Sequence, residues 1–213
     1  MKTSIKNLFT ATLVMFTLSS ATVVANATEN NANYTAITMV KNINKIVVSG
    51  NVKLILIQDV KEGIEVYDQY YTKNALIQQQ GATLRISSFE KNTLTVIAHV
   101  NNLNSIEALN TATVSTAGKF NLLNLSVVLG DDASADLNVN TVNLTTDVND
   151  SAALKLEGST QTHQSRSGIT SKIETGKFIA QDTNTKLVAK SALAKNNKSR
   201  YDDLQVNLLE KLF

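Results

Sequence analysis

Five aspartates crowd one stretch of this sequence: Asp131, Asp132, Asp136, Asp147 and Asp150. Clustered carboxylate oxygens suit calcium, and paired carboxylates suit the hydrolysis of glycosidic bonds. Aspartate also closes tight turns by hydrogen-bonding neighbouring backbone, and no glycine-rich calcium repeat accompanies these five. Turn chemistry is therefore the expected role, with calcium as the alternative. Asp131 and Asp150 would be neighbours if their segments stack.

The two histidines, His99 and His163, stand alone in sequence. A zinc site needs further ligands at defined spacing. None is visible, so hydrogen-bonded or solvated histidines are expected, with His163 in a polar corner, Gln161 to Ser167. No G-x-S-x-G nucleophile elbow occurs, and no catalytic residue, metal ligand or cofactor is implied. Tyr67, Tyr70 and Tyr71 form the one aromatic cluster. Exposed tyrosines stack on sugars or anchor protein interfaces. Tyr70 and Tyr71 thus join Asp131 and Asp150 as ligand-binding candidates. The competing expectation is that Tyr67 packs inward and Tyr70-Tyr71 covers a sheet edge.

Before these residues can be placed, the first segment has to be set aside. Lys2 and Lys6 precede a mostly apolar run from Leu8 to Leu18, and Ala25-Asn26-Ala27 follows. Charge, short apolar core and small residues in that order read as a cleaved signal peptide, residues 1–27. Removing 27 of 213 residues leaves 186, with 18 basic and 18 acidic side chains. The surplus of two positive charges belongs to the leader. The remainder has no polyanion signature, which argues against nucleic acid as a partner. It also has no further apolar run of membrane-spanning length. The chain has no cysteine, so neither disulfides nor thiolate sites hold it together.

The rest reads as short strands. Residues 28–42 form a leader to the mature chain, and 43–190 a single domain. Lys45–Ser49, Val52–Gln58, Gly63–Tyr67, Thr83–Ser87 and Thr93–Ala98 alternate as strands do, punctuated by Gly50-Asn51 and Gly81. Val52–Gln58 is apolar enough to suggest cover on both faces. Beyond residue 103, apolar islands recur. Asn124-Leu125-Ser126 returns as Asn143-Leu144-Thr145, and Asp131/Ala133 as Asp150/Ala152, nineteen residues later. Leu137 is matched by Leu154 and then Ile173; Ile106 and Leu187 mark outlying copies. One copy cannot bury a face alone, whereas stacked copies make apolar columns, the signature of a solenoid. The expected fold class is all-β: a parallel β-helix or solenoid with an N-terminal block of β-strands and a short C-terminal capping segment. Corners of such a fold account for the 24 asparagines and 24 threonines. The absence of proline suits unbroken ladders.

The cap is expected at 191–213. Ser199-Arg200-Tyr201-Asp202 resembles a helix start, and Tyr201, Leu204, Leu208 and Leu212 follow at helical spacing. Leu204–Leu208 alternates as a strand would, so both forms stay open. The basic run Lys186, Lys190, Lys195, Lys198 and Arg200 reads as a solvated stretch.

From about Ile43 to Leu156 the chain resembles the putative auto-transporter adhesin, head GIN domain family (DUF2807). The likeness lies in Ile46-Val47-Val48-Ser49-Gly50-Asn51-Val52-Lys53-Leu54, then Gln58, Ile64-Glu65-Val66, Gly81 and Leu84-Arg85-Ile86, with the islands at Ile106, Leu125 and Leu144. A fainter likeness runs to about Ala189. Where the family carries Ser-Gly-Ala-Ser turns, this chain has Gly130-Asp131-Asp132-Ala133-Ser134 and Asn149-Asp150-Ser151-Ala152. The resemblance implies a β-helical protein exported to the periplasm or cell surface of a Gram-negative bacterium, often one of the Bacteroidota. It offers no catalytic residues. The expected function is a non-catalytic adhesin or envelope module, with envelope components, glycans or surface proteins as partners. A carbohydrate-active enzyme using Asp131, Asp132 and Asp150 is the rival, and a binder of lipid or another small ligand ranks last because small inward residues leave little interior volume.

Overall fold

A computed structural model describes residues 35–37, 40–67 and 75–188. The expected signal peptide, most of the expected leader, Tyr70, Tyr71 and the expected cap at 191–213 lie outside the described residues. The described chain is all-β, a single curled sheet of thirteen strands.

Two short strands, β2 (Lys45–Gly50) and β3 (Val52–Gln58), set the pattern. Gly50 turns the corner between them at φ 82°, where its Hα faces the Ser88 carbonyl and any Cβ would stand 2.0 Å from that oxygen. Glycine is the residue that this close approach admits. The pair β6 (Thr83–Ser88) and β7 (Leu94–Val100) lies parallel on one side, and β8 (Ser105–Leu109) and β9 (Thr113–Thr116) on the other. The N-terminal strands therefore belong to the same sheet as the repeats. Antiparallel strands finish this end: β5 (Ala75–Gln80) on β6, β4 (Gly63–Tyr67) on β7, and β1 (Thr35–Ile37) on β4.

The repeats continue the sheet in the other direction through β10 (Phe120–Leu129), β11 (Ser134–Val148), β12 (Ala153–Gly168) and β13 (Lys172–Val188), all parallel. Nineteen residues separate Leu125 from its partner Leu144, and Asn124 from Asn143, as the repeat predicts. Leu125 and Leu144 are both buried, and each such leucine contributes about 1.5–3 kcal/mol relative to exposure.

One expected column is corrected. Leu137 lies beside Leu156, and Leu154 pairs with Ala135 and Ile173. A two-residue slip keeps every side chain on its face, so alternation could not tell the registers apart. The backbone decides: Ser151 N–H donates to Asp131 O and Ala153 N–H to Ala133 O, which holds the offset at nineteen. A second correction concerns β3, whose Val52, Leu54 and Leu56 are buried while Ile55 and Ile57 are only half-covered. A third concerns Gln161 to Ser167, expected as a corner, which runs inside β12.

The inward face changes character along the sheet. Ile106, Val127, Thr146, Ser165 and Thr185 succeed one another in one column, and Leu125, Leu144, His163 and Thr183 in another. Apolar packing gives way to buried hydroxyls that satisfy each other. Thr141 Oγ1 donates to Thr160 Oγ1 at 2.8 Å, and Thr146 Oγ1 to Ser165 Oγ at 3.1 Å. A buried hydroxyl with a partner costs little; without one it costs about 1–3 kcal/mol.

Candidate functional site

Asn110, Asp131 and Asp150 occupy equivalent corners of successive repeats, all left-handed, with φ of 61°, 57° and 54°. Short polar side chains adopt this region at less cost than other L-residues. Each corner closes with a backbone bond three residues long, Ala133 N–H to Gly130 O and Ala152 N–H to Asn149 O. Asp131 Oδ2 then reaches back to the preceding corner, accepting from Asn110 N–H at 2.9 Å and from Asn110 Nδ2 at 3.3 Å. Stacking does bring the Asp131 and Asp150 corners together, and there Asp131 is engaged as a turn residue.

The other acids have separate partners. Asp136 meets Lys155 Nζ at 2.8 Å, and Glu157 meets Lys155 at 3.3 Å and Lys177 at 3.4 Å. The Asp136 contact, then that of Glu157, holds the Lys155 ammonium above its ordinary pKa. Lys155, then Lys177, holds Glu157 below its own. Asp147 accepts from Asn149 Nδ2 at 3.0 Å and faces Arg166 at 3.7 Å. No group of three or more His, Asp or Glu converges in metal-binding geometry among the described residues.

His99 has neighbours that sequence spacing does not reveal. Antiparallel pairing of β4 with β7 brings Glu65 Oε1 to 3.6 Å from Nε2, while Asp59, just past β3, sits 3.5 Å from Nδ1. Lys61 N–H donates to Asp59 Oδ1, and this bond, joined by His99, lowers the Asp59 pKa although burial opposes it. Tyr67 Oη donates to Glu65 Oε2 at 3.0 Å. Tyr67 is 40% exposed, so the expectation that it packs inward is wrong: Val66 takes the inward position. The cluster is a partly exposed polar network of one histidine, two carboxylates and a tyrosine.

His163 is the residue that sequence reasoning placed least well. It is 4% exposed, beneath Thr183 on β13, with Nε2 3.0 Å from Thr146 Oγ1 and its ring edge-on to Phe178 at 5.7 Å. Burial lowers its pKa and favours the neutral ring. Adding the nineteen-residue offset to Leu144 would have found it. His163 lines a cavity of about 520 Å³ with Ser165, Ile173, Phe178, Thr183 and Thr185. This hollow is open-sided and lies along β13, the last described strand.

Outward, the repeats carry polar ladders. Asn143 Nδ2 donates to Asn124 Oδ1 at 2.8 Å, and Thr162 Oγ1 to Asn143 Oδ1 at 2.7 Å. Alongside, Asn140 Nδ2 donates to Asn121 Oδ1 and Ser159 Oγ to Asn140 Oδ1. Each bond fixes a carboxamide orientation on the surface.

Two solved structures share this fold. A putative adhesin from Bacteroides fragilis NCTC 9343 superposes with a TM-score of 0.55 at 19% identity, over 73% of this chain and 77% of that one. A putative lipid binding protein from Parabacteroides distasonis ATCC 8503 does so with a TM-score of 0.52 at 10% identity, over 74% and 79%. No curated protein matches the chain. The model of the family described as "Putative auto-transporter adhesin, head GIN domain" matches residues 42–200, and the chain belongs to that family.

Proposed function

We propose that this chain is an exported, non-catalytic β-solenoid whose rigid polar face binds glycan chains of the cell envelope or cell surface. The observation that carries the reading is the pair of outward ladders, Asn124–Asn143–Thr162 and Asn121–Asn140–Ser159. Parallel strands repeat about every 4.8 Å, so the ladders present donors and acceptors at a fixed interval, already oriented. A repetitive hydroxylated polymer is the ligand type such a rack suits, because little side-chain entropy remains to be lost on binding. The nineteen-residue offset and the stacked left-handed corners support the solenoid description. Export rests on the leader at 1–27. The non-catalytic reading rests on the acids, since Asp131, Asp136 and Asp147 are each engaged in a turn or ion pair.

The test is a polysaccharide array probed with the mature chain. Retention by envelope or surface glycans, weakened in Asn124→Ala/Asn143→Ala, is expected. Turnover of any polysaccharide, or retention unchanged in that variant, refutes the assignment. Cell fractionation with N-terminal sequencing should find a periplasmic or surface protein beginning at Thr28.

A further inference from the structure

The two ends of the sheet differ. At the N-terminal end, β4 and β5 add antiparallel strands beyond β7 and β6. At the other end, β13 pairs with β12 and has no further strand beside it among the described residues. Its inward positions are those occupied by core residues in earlier repeats. Ile173 continues the column of Leu154, and Leu187 continues that of Val148 and Ser167. Leu154 and Val148 are buried, whereas Leu187 is 73% exposed and Ile173 and Phe178 are only partly covered. The cavity of about 520 Å³ lies against this uncovered strip.

We infer that this strip is the seat of the chain's own C-terminal segment, with the leucines of 201–212 lying over Ile173, Phe178 and Leu187. Three observations select this occupant. Val188 ends β13, and 25 residues follow it directly. They carry Leu204, Leu208 and Leu212, spaced so that a helix would place them on one face, with Tyr201 one turn before. The intervening twelve residues, 189–200, can span up to about 40 Å, and a twelve-residue helix covers about 18 Å, enough to return along the strip. Capping also meets a physical need, since an open, partly apolar strand edge recruits other chains. This inference is independent of the glycan reading.

The cysteine-free sequence offers a clean test. Thr183→Cys, inward on β13, is combined in turn with Leu204→Cys, Leu208→Cys and Leu212→Cys in the full mature chain. Ile179→Cys, on the outward face of the same strand and 72% exposed, replaces Thr183→Cys as the control. A disulfide needs Cα atoms within roughly 7 Å. At least one inward pair is expected to close within the monomer at about ten times the yield of its outward control, as seating raises the effective concentration into the millimolar range. Hydrogen exchange of the unsubstituted chain should show amides of 201–212 protected by at least about tenfold. Equal yields on both faces, or unprotected amides, overturn the inference. Cross-links only between chains would assign the strip to a second copy, and a small molecule retained in native mass spectra with no inward cross-link would assign it to a ligand; either overturns it.

Discussion

Replacing Asp131 separates the two chemistries that its position allows. At φ 57° an alanine pays about 1–2 kcal/mol for its Cβ. It also forfeits the two bonds from Asn110, worth together about 1 kcal/mol at an exposed corner. Asp131→Ala should therefore destabilise by about 2–3 kcal/mol. Asp131→Gly removes the Cβ strain and loses only the bonds, so about 1 kcal/mol is expected. Asp131→Asn keeps an acceptor and tolerates the left-handed region, so its loss should stay under about 0.5 kcal/mol. Urea denaturation of the mature chain, followed by far-UV circular dichroism with EDTA and again with millimolar calcium, resolves differences of this size. The order Asn, Gly, Ala with no calcium response is the turn signature. A calcium-dependent rise in the wild-type midpoint that Asp131→Asn abolishes would refute the argument, because the carboxylate charge would then matter more than the corner.

Leu144→Ala, between Leu125 and His163 in the column, should cost about 2–5 kcal/mol in the same urea assay. Gly158→Ala should be worse tolerated than any other glycine change in the repeats: φ is 103° and a Cβ would stand 2.2 Å from the Val139 carbonyl oxygen, so a collapse of soluble yield or a fall in Tm is expected. His163 has its pKa lowered by burial, so the folded state binds its proton less readily than the unfolded chain. Stability is then complete above about pH 6.5 and is lost as pH falls below that value. Urea midpoints between pH 7.5 and 5 should decline, and His163→Gln should flatten the decline; an identical slope in the variant would contradict the buried, neutral assignment.

Strands punctuated by their own turn residues were legible with little error. Val52–Gln58 and Gly63–Tyr67 have the expected bounds, because Gly50-Asn51 and Gly63 mark where the alternation breaks. The corner role of Asp131 was legible as well, since aspartate in a repeated turn is itself the signal. Register was not: Leu137 could match Leu154 or Leu156 by alternation alone, and only the backbone bonds between corners separate them. That His163 is hydrogen-bonded was expected, but its inward place was not, because inward positions were assumed apolar, whereas Thr146 and Ser165 build a polar interior that accepts it. The cluster around His99 depends on antiparallel contacts between β4 and β7, which join residues 34 apart with no periodic trace. That N-terminal strands and repeats share one sheet was equally hidden, because β2 meets β8 across an intervening stretch that holds β3 to β7.

The graded inward face has a consequence for how the protein is made. Strands β2 and β3 must find β6 and β7, and then β8 and β9, across distant stretches of chain, and their core is almost wholly apolar. From β10 onward each strand needs only the one formed about nineteen residues earlier, so each loop closes cheaply and over similar lengths. A chain synthesised N-terminus first would make its difficult, strongly driven contacts before the later repeats were complete. The later repeats, with weaker hydroxyl-bearing interiors, would then be laid down one by one on a template already in place. The order of residues along this chain is thus also the expected assembly order, with the most demanding step first.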